Sequence, residues 1–143
     1  MKKTLSLLLA TVMLLGCLCL SACGDDTAKK IAGTYEMDSI TGSMTVSGQT
    51  VSLTKDLYEY YRIILNEDGT ARVESKSPNS TTKVEEDGTW TWENNVLKLK
   101  SSPNGISVVE EMEWEENKIT YKAEQSADGM SLSMTLVLVK KEA

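Results

Sequence analysis

The sequence contains no histidine and no phenylalanine, and its only cysteines, Cys17, Cys19 and Cys23, lie near the start. Without histidine the chain cannot form a Ser-His-Asp or Cys-His catalytic arrangement or a paired-histidine zinc motif. The residues after Cys23 offer no disulfide and no cysteine nucleophile. They also contain no glycine-rich phosphate-binding loop. We therefore expect neither an enzyme nor a protein with a bound cofactor or metal ion.

The first 22 residues have the composition of a signal peptide. Lys2 and Lys3 form a positively charged start, residues 5–20 are mostly apolar, and Ser21 and Ala22 are small residues at the exit. These three features in this order are typical of a segment that is removed after export. The alternative is an uncleaved transmembrane helix, because the apolar run approaches the roughly 20 residues that a bilayer requires.

The segment Leu20-Ser21-Ala22-Cys23 resembles the lipobox of bacterial lipoproteins. The resemblance implies cleavage before Cys23, acylation of that cysteine, and a protein anchored to the extracytoplasmic face of the cell membrane. It divides the chain into a signal peptide (1–22), a lipidated cysteine with a polar tether (23–30) and a folded domain (31–143). Two acyl chains would give the stable anchoring that a single chain does not give.

Acidic residues outnumber basic ones by 21 to 15, which gives a net charge of −6. Loss of Lys2 and Lys3 with the signal peptide would make the net charge −8, since residues 1–22 contain no acidic residue. A surface of this sign repels nucleic acid, so we expect no nucleic-acid partner.

From Ile31 onward, short runs alternate between apolar and polar residues and are separated by clusters of Gly, Asn, Asp and Ser. This pattern predicts antiparallel strands joined by tight turns. Met130, Leu132 and Met134 show it most clearly, because serines separate them. Residues 54–61 fit either a strand or a helical turn. About ten short strands in so small a domain predict an all-β, up-and-down meander that closes into a barrel.

Six turns follow from the requirement that apolar residues face apolar residues across each hairpin. Three predicted pairs are Leu65 with Ala71, Trp92 with Leu97, and Trp114 with Ile119, across loops 67–69, 94–95 and 116–117. The other three are Val46 with Val51 across 48–49, Val84 with Trp90 across 86–88, and Leu132 with Ala123 across 126–129. Opposite charges also predict Glu115 against Lys118 and Glu111 against Lys122.

The start Gly33-Thr34-Tyr35 is similar to the Gly-x-Trp start of lipocalins, with Tyr in place of Trp. The series Leu65-Asn66-Glu67-Asp68-Gly69-Thr70, Asp87-Gly88-Thr89-Trp90 and Asn95-Val96-Leu97-Lys98-Leu99 resembles the small lipocalin-like lipoproteins of bacteria. The resemblance covers nearly all of residues 31–140. It implies a lipocalin-like β-barrel of about eight to ten strands with one open end, and it implies no established activity.

Aromatic and methionine side chains cluster on the predicted inward face, where they either line an apolar ligand pocket or fill the core that phenylalanine would otherwise fill. Glu110 also points inward, either at the barrel rim or as a polar feature of a pocket. Its neighbours Glu111, Glu113 and Glu115 share the other face, which indicates a solvated strand and not a calcium site. The candidate ligand-binding residues are Trp90, Trp92, Glu110, Met112, Trp114, Tyr121 and Met134.

Two functions remain. In the first, the barrel binds a small apolar or amphipathic ligand beside the membrane. In the second, the barrel is filled and presents an outer surface to another envelope protein. Exposed side chains at Tyr58, Tyr60 and Tyr61 would favour the second, because tyrosine is enriched in protein interfaces.

Overall fold

The computed structural model describes residues 25–142, in which one short helix precedes nine antiparallel strands. The helix is α1 (Asp25–Ile31). The strands are β1 (Gly33–Val46), β2 (Gln49–Ser52), β3 (Tyr60–Leu65), β4 (Thr70–Lys76), β5 (Val84–Glu93), β6 (Val96–Ser101), β7 (Val108–Glu115), β8 (Lys118–Ala127) and β9 (Met130–Lys140). Two 3-10 turns, Lys55–Leu57 and Pro103–Gly105, lie in the connecting loops.

Eight of the strands close into a barrel. From β3 onward each strand pairs with the next one in the chain, β3 also pairs with β1, and the first and last strands close the ring. The short β2 lies outside this ring and extends the far half of β1 as a hairpin. The prediction of an all-β, antiparallel meander that closes into a barrel is confirmed.

Two seams of the barrel are hydrogen-bonded at one end only. β1 pairs with β3 over Gly33–Glu36, and β7 pairs with β8 over Glu113–Glu115. Beyond these pairs the wall separates into one sheet of β2, β1, β9 and β8 and another of β3 to β7. We call the end with loops 66–69, 94–95 and 116–117 the closed end, and the end with loops 53–59, 77–83 and 102–107 the open end.

The hydrophobic core lies toward the closed end. The largest fully buried side chains are Ile31, Tyr35, Ile63, Leu65, Leu97, Leu99, Ile119 and Leu138. Seven of them come from the strands and point into the barrel, while Ile31 comes from α1. Burial of such side chains stabilises each by roughly 1.5–3 kcal/mol relative to exposure, so this end carries most of the folding free energy.

The helix α1 shows that residues 25–30 of the predicted polar tether (23–30) are helical. Residues 25–31 contain no glycine or proline, and Lys29 and Lys30 occupy the last turn, where positive charge favours a helix. Ile31 is fully buried and Ala28 packs against the core, so tertiary contacts stabilise a segment too short to be helical by itself. The predicted signal peptide and the lipidation at Cys23 lie outside the described residues.

The three predicted turns at the closed end are confirmed. Leu65 faces Ala71, Trp92 faces Leu97, and Trp114 faces Ile119. The positive φ angles expected in these loops are present at Gly69 (85°), Asn94 (52°) and Asn95 (63°). Glu115 lies opposite Lys118 as predicted. Glu111 does not pair with Lys122, because its carboxylate lies 3.8 Å from Lys98 Nζ while Lys122 lies 3.6 Å from Glu113.

At two predicted turns at the open end, the strand pairing is shifted by two residues. Val46 faces Gln49 and not Val51, and Leu132 faces Gln125 and not Ala123. The turns are Ser47-Gly48 and Asp128-Gly129, and both residues of each have positive φ. Such two-residue turns match the twist of the flanking strands and therefore take precedence over the longer or shifted loops. A two-residue shift keeps every side chain on its predicted face.

The predicted turn at residues 86–88 does not exist, because 84–93 form the continuous strand β5. Gly88 lies opposite Ala71 on one side and Ser101 on the other. A Cβ atom there would lie 2.3 Å from the carbonyl oxygen of Lys100. The glycine therefore permits a close approach between strands and does not mark a loop.

The ambiguous stretch 54–61 combines both structures that its sequence allowed. Lys55–Leu57 form a 3-10 turn, and β3 begins at Tyr60. Tyr58, Tyr60 and Tyr61 are half-buried, so they do not provide the exposed tyrosine surface that would favour a protein interface.

Candidate functional site

A cavity of about 240 Å³ opens between the strands at the open end. Its walls come from β3 to β7, on the sheet that separates from β1 and β8 above the two seams. Six of its lining residues are Tyr61, Ser75, Val84, Glu86, Val108 and Glu110. Alternation along each strand accounts for this set, because each member shares the inward face of its strand with a core residue.

Glu110 lies on the inward face of β7 opposite Leu99, which is 2% exposed. Burial raises the pKa of the Glu110 carboxyl group, a hydrogen bond with the Tyr121 hydroxyl lowers it by a smaller amount, and the nearby charge of Glu86 raises it further. Glu110 is half-buried and lines the cavity, so its carboxyl group forms part of the cavity wall at the open end.

Glu86 lies on the neighbouring part of the cavity, opposite Val73 on β4. Its Oε1 atom is buried and has no hydrogen-bond partner among the described residues. A buried carboxylate oxygen without a partner is costly in free energy, so such groups are rare outside functional sites.

Tyr61 completes the polar part of the wall. Burial raises the pKa of its phenol group, and the negative charges of Glu110 and Glu86 add to this effect. Tyr58 contacts the Tyr61 ring edge to face, with ring centres 5.7 Å apart. The cavity thus combines aromatic surface with hydroxyl and carboxyl groups.

Of the seven residues predicted from the sequence, two lie at the cavity and five lie in or beside the core. Glu110 lines the cavity, and the Tyr121 hydroxyl is hydrogen-bonded to the Glu110 carboxyl group. Met112 and Trp90 are 4% and 5% exposed and belong to the core, where Trp90 donates a hydrogen bond to the Asn66 carbonyl oxygen (2.8 Å) at the closed end. Met134 is half-buried and packs against that core.

Trp92 and Trp114 lie at the closed end, away from the cavity. Their rings meet edge to face with centres 5.8 Å apart, and the Trp114 indole donates to the Tyr35 hydroxyl (2.8 Å). Together with Lys30 they border a groove of about 450 Å³ on the outside of the barrel. The three tryptophans therefore fill the barrel at its closed end.

Exposed apolar side chains surround the open end. Of the nine large apolar residues that the described chain exposes, all except Val139 lie in its loops and strand ends. The set is Met44, Val46, Val51, Leu57, Val84, Ile106, Val109 and Met130, which we call the apolar rim. Grouped exposure of this kind is typical of ligand-binding grooves and interaction surfaces.

Sequence reasoning missed Glu86 and Tyr61. The first was hidden by the assignment of residues 86–88 to a turn, which removed Glu86 from the alternation of Val84, Gly88 and Trp90. The second lay in the ambiguous stretch before β3. A continuous β5 would have placed Glu86 inward beside Glu110.

No group of three or more Asp, Glu, Cys or His side chains in residues 25–142 is placed to hold a metal ion. The helical segments within the same range are too short or too polar to cross a membrane.

Comparison with known proteins gives one family. The lipocalin-like domain family matches the chain over residues 31–128. This range begins at the last residue of α1 and ends in the turn between β8 and β9. No curated protein and no solved structure matches the chain.

Proposed function

The chain belongs to the lipocalin-like domain family, and from this premise we propose that it binds a small amphipathic ligand at the open end of its barrel. The observation that carries the proposal is the cavity between β3 and β7, which Val84 of the apolar rim lines at the open end. We further propose that a lipid on Cys23 holds the protein at the extracytoplasmic face of the membrane. The Leu20-Ser21-Ala22-Cys23 motif supports this location.

The division of the interior favours ligand binding over a completely filled barrel. Trp90, Trp92 and Trp114 occupy the closed half, and only that half corresponds to the filled barrel of the alternative hypothesis. Pockets for whole ligands have volumes of roughly 300–1,000 Å³. The cavity of about 240 Å³ is slightly smaller, so part of the ligand would lie on the apolar rim.

A neutral fluorescent probe tests the binding proposal. N-phenyl-1-naphthylamine should show saturable, one-to-one fluorescence enhancement with the purified protein. In a Ser75→Trp variant, the indole would occupy the cavity, and we expect at least fivefold weaker binding. Ser131→Trp is the matched control, since Ser131 is exposed on the outer face of β9. Absence of saturable binding, or equal affinity in both variants, would favour an envelope protein that acts through its outer surface.

Fractionation tests the location separately. The wild-type protein should sediment with membranes from its host, and a Cys23→Ala variant should lose the acyl group and this association. Metabolic labelling with a radioactive fatty acid should mark the first protein and leave the second unlabelled. A Cys23→Ala protein that stays with membranes would refute the anchor without affecting the binding proposal.

A further inference from the structure

At the open end, the inward face of the described barrel carries acidic groups without basic ones. Strand alternation and burial place Glu86 and Glu110 on the inward faces of β5 and β7, opposite Val73 and Leu99. The nearby lysines pair with outward-facing carboxylates: Lys83 in loop 77–83 pairs with Glu85, and Lys98 on β6 pairs with Glu111. No lysine or arginine lines the cavity among the described residues. The cavity lining therefore combines two carboxyl groups with no basic side chain.

Part of the hydrogen-bonding capacity of these two carboxyl groups is unused. Glu110 bonds with the Tyr121 hydroxyl, whereas the buried Oε1 atom of Glu86 has no partner. A carboxylate can accept about four hydrogen bonds, and an ammonium group offers three donors and a positive charge. An ammonium group inside the cavity would satisfy the free oxygen and offset the desolvation of both carboxylates.

A metal ion fits this arrangement less well than an organic cation. Calcium requires six to eight oxygen ligands, whereas the cavity offers two carboxyl groups and nearby tyrosine hydroxyls. The apolar rim, with Val84 66% and Ile106 69% exposed, offers surface that only a ligand with an apolar part would use. A head group of a few atoms occupies the cavity of about 240 Å³, and an attached chain extends along that rim.

We propose that the cavity selects amphipathic cations, such as primary alkylammonium compounds, whose ammonium group is held by Glu86 and Glu110 while the alkyl part contacts Tyr61 and the apolar rim. This inference rests on the proposed function, because it specifies the chemistry of a ligand for the same cavity. It predicts that head-group charge determines affinity when the apolar part is constant.

Three probes with the same chain separate charge from hydrophobicity. Isothermal titration calorimetry at pH 7.5 should rank hexylamine above hexan-1-ol by at least fivefold in Kd, with hexanoate weakest. The variants Glu86→Gln and Glu110→Gln should each remove most of the preference for hexylamine while hexan-1-ol binds as before. Glu111→Gln is the matched control, since Glu111 is the exposed, outward-facing neighbour of Glu110 and should keep the full preference.

The outcomes distinguish the two proposals. Equal affinity for hexylamine and hexan-1-ol, unchanged by Glu86→Gln and Glu110→Gln, would overturn the cation selectivity and leave ligand binding intact. No binding of any probe, together with no binding of N-phenyl-1-naphthylamine, would overturn the proposed function itself. Calcium chloride titrated under the same conditions should give no heat that depends on Glu86, and a saturable calcium signal would replace the organic cation by a metal ion.

Discussion

The closed and open ends of the barrel are continuous along the same strands but differ in their contacts. At the closed end, core residues such as Leu97 and Ile119 are fully buried, and the Trp90 and Trp114 indoles each have a hydrogen-bond acceptor at 2.8 Å. At the open end, two seams lack strand pairing, and apolar side chains contact solvent. The difference indicates that one end supplies stability, which allows the other to hold carboxyl groups and exposed apolar surface that would weaken a closed core.

One pair of identical substitutions tests this difference most directly. Leu97→Ala removes a fully buried side chain, and we expect a loss of about 2–5 kcal/mol in the free energy of unfolding. Leu57→Ala changes a residue that is 42% exposed, and we expect a loss of no more than about 0.5 kcal/mol. Urea denaturation followed by circular dichroism measures both. Similar losses in the two variants would contradict the division of stability between the ends.

A second comparison concerns two glycines. Gly88→Ala would place a Cβ atom 2.3 Å from the backbone oxygen of Lys100, and we expect a cost of about 1–3 kcal/mol, since backbone cannot move as a side chain can. Gly48 at the open end has no heavy atom within 4 Å of such a Cβ, so Gly48→Ala involves only its positive φ of 80°. Thermal unfolding of both should show the larger decrease for Gly88→Ala. A larger decrease for Gly48→Ala would mean that β5 and β6 are less closely apposed.

The hydroxyl of Tyr35 provides a smaller test of the closed end. It donates to the Ile31 carbonyl oxygen and accepts a hydrogen bond from the Trp114 indole, so it links α1 to the barrel. Tyr35→Phe leaves the indole N–H without its acceptor, and we expect a cost of about 1–2 kcal/mol. Tyr60→Phe is the control, because its ring still contacts Arg62, and it should change stability by less than about 0.5 kcal/mol. Hydrogen exchange in α1 should increase only in the first variant.

The smallest effect concerns the pH dependence of stability at the open end. Burial raises the pKa of Glu110 above its ordinary value of 4.5, so the folded protein holds this proton more tightly than the unfolded chain. The contribution of the protonated Glu110 to the free energy of unfolding is complete below pH 4.5 and is lost as the pH rises through the raised pKa. Relative to Glu110→Gln, the wild-type melting temperature should therefore fall over this interval. An equal pH profile in both proteins would show that the carboxyl group is solvated and not part of a buried wall.

The sequence predicts the closed end better than the open end. Loops 67–69, 94–95 and 116–117 join strands whose facing residues are buried, so only one register satisfies the core. Val46 and Val51 are 40% and 52% exposed, so burial does not distinguish between registers that differ by two residues. The turns Ser47-Gly48 and Asp128-Gly129 then set the pairing through their backbone geometry.

One tetrapeptide shows the limit of local reasoning. Glu-Asp-Gly-Thr occurs at residues 67–70 as a turn and at 86–89 within β5. In the first copy the Asp68 carboxylate accepts hydrogen bonds from the Thr70 backbone and hydroxyl. In the second copy the Asp87 carboxylate lies 2.7 Å from Arg72 Nε on the neighbouring strand. Because that partner is 15 residues away in the chain, no local pattern distinguishes the two copies. The sequence therefore does not reveal that Glu86 lies in the cavity.

With the proposed lipid on Cys23, the contact between α1 and the closed end would also determine which end of the barrel faces the membrane. α1 is about 10 Å long and begins two residues after Cys23. If Cys23 is acylated as proposed, the bilayer would lie next to the closed end. The cavity would then face the surrounding fluid on the opposite side. A ligand would then arrive by diffusion from solution and would not transfer laterally from the lipid layer. Such an orientation suits capture of compounds that reach the cell from outside.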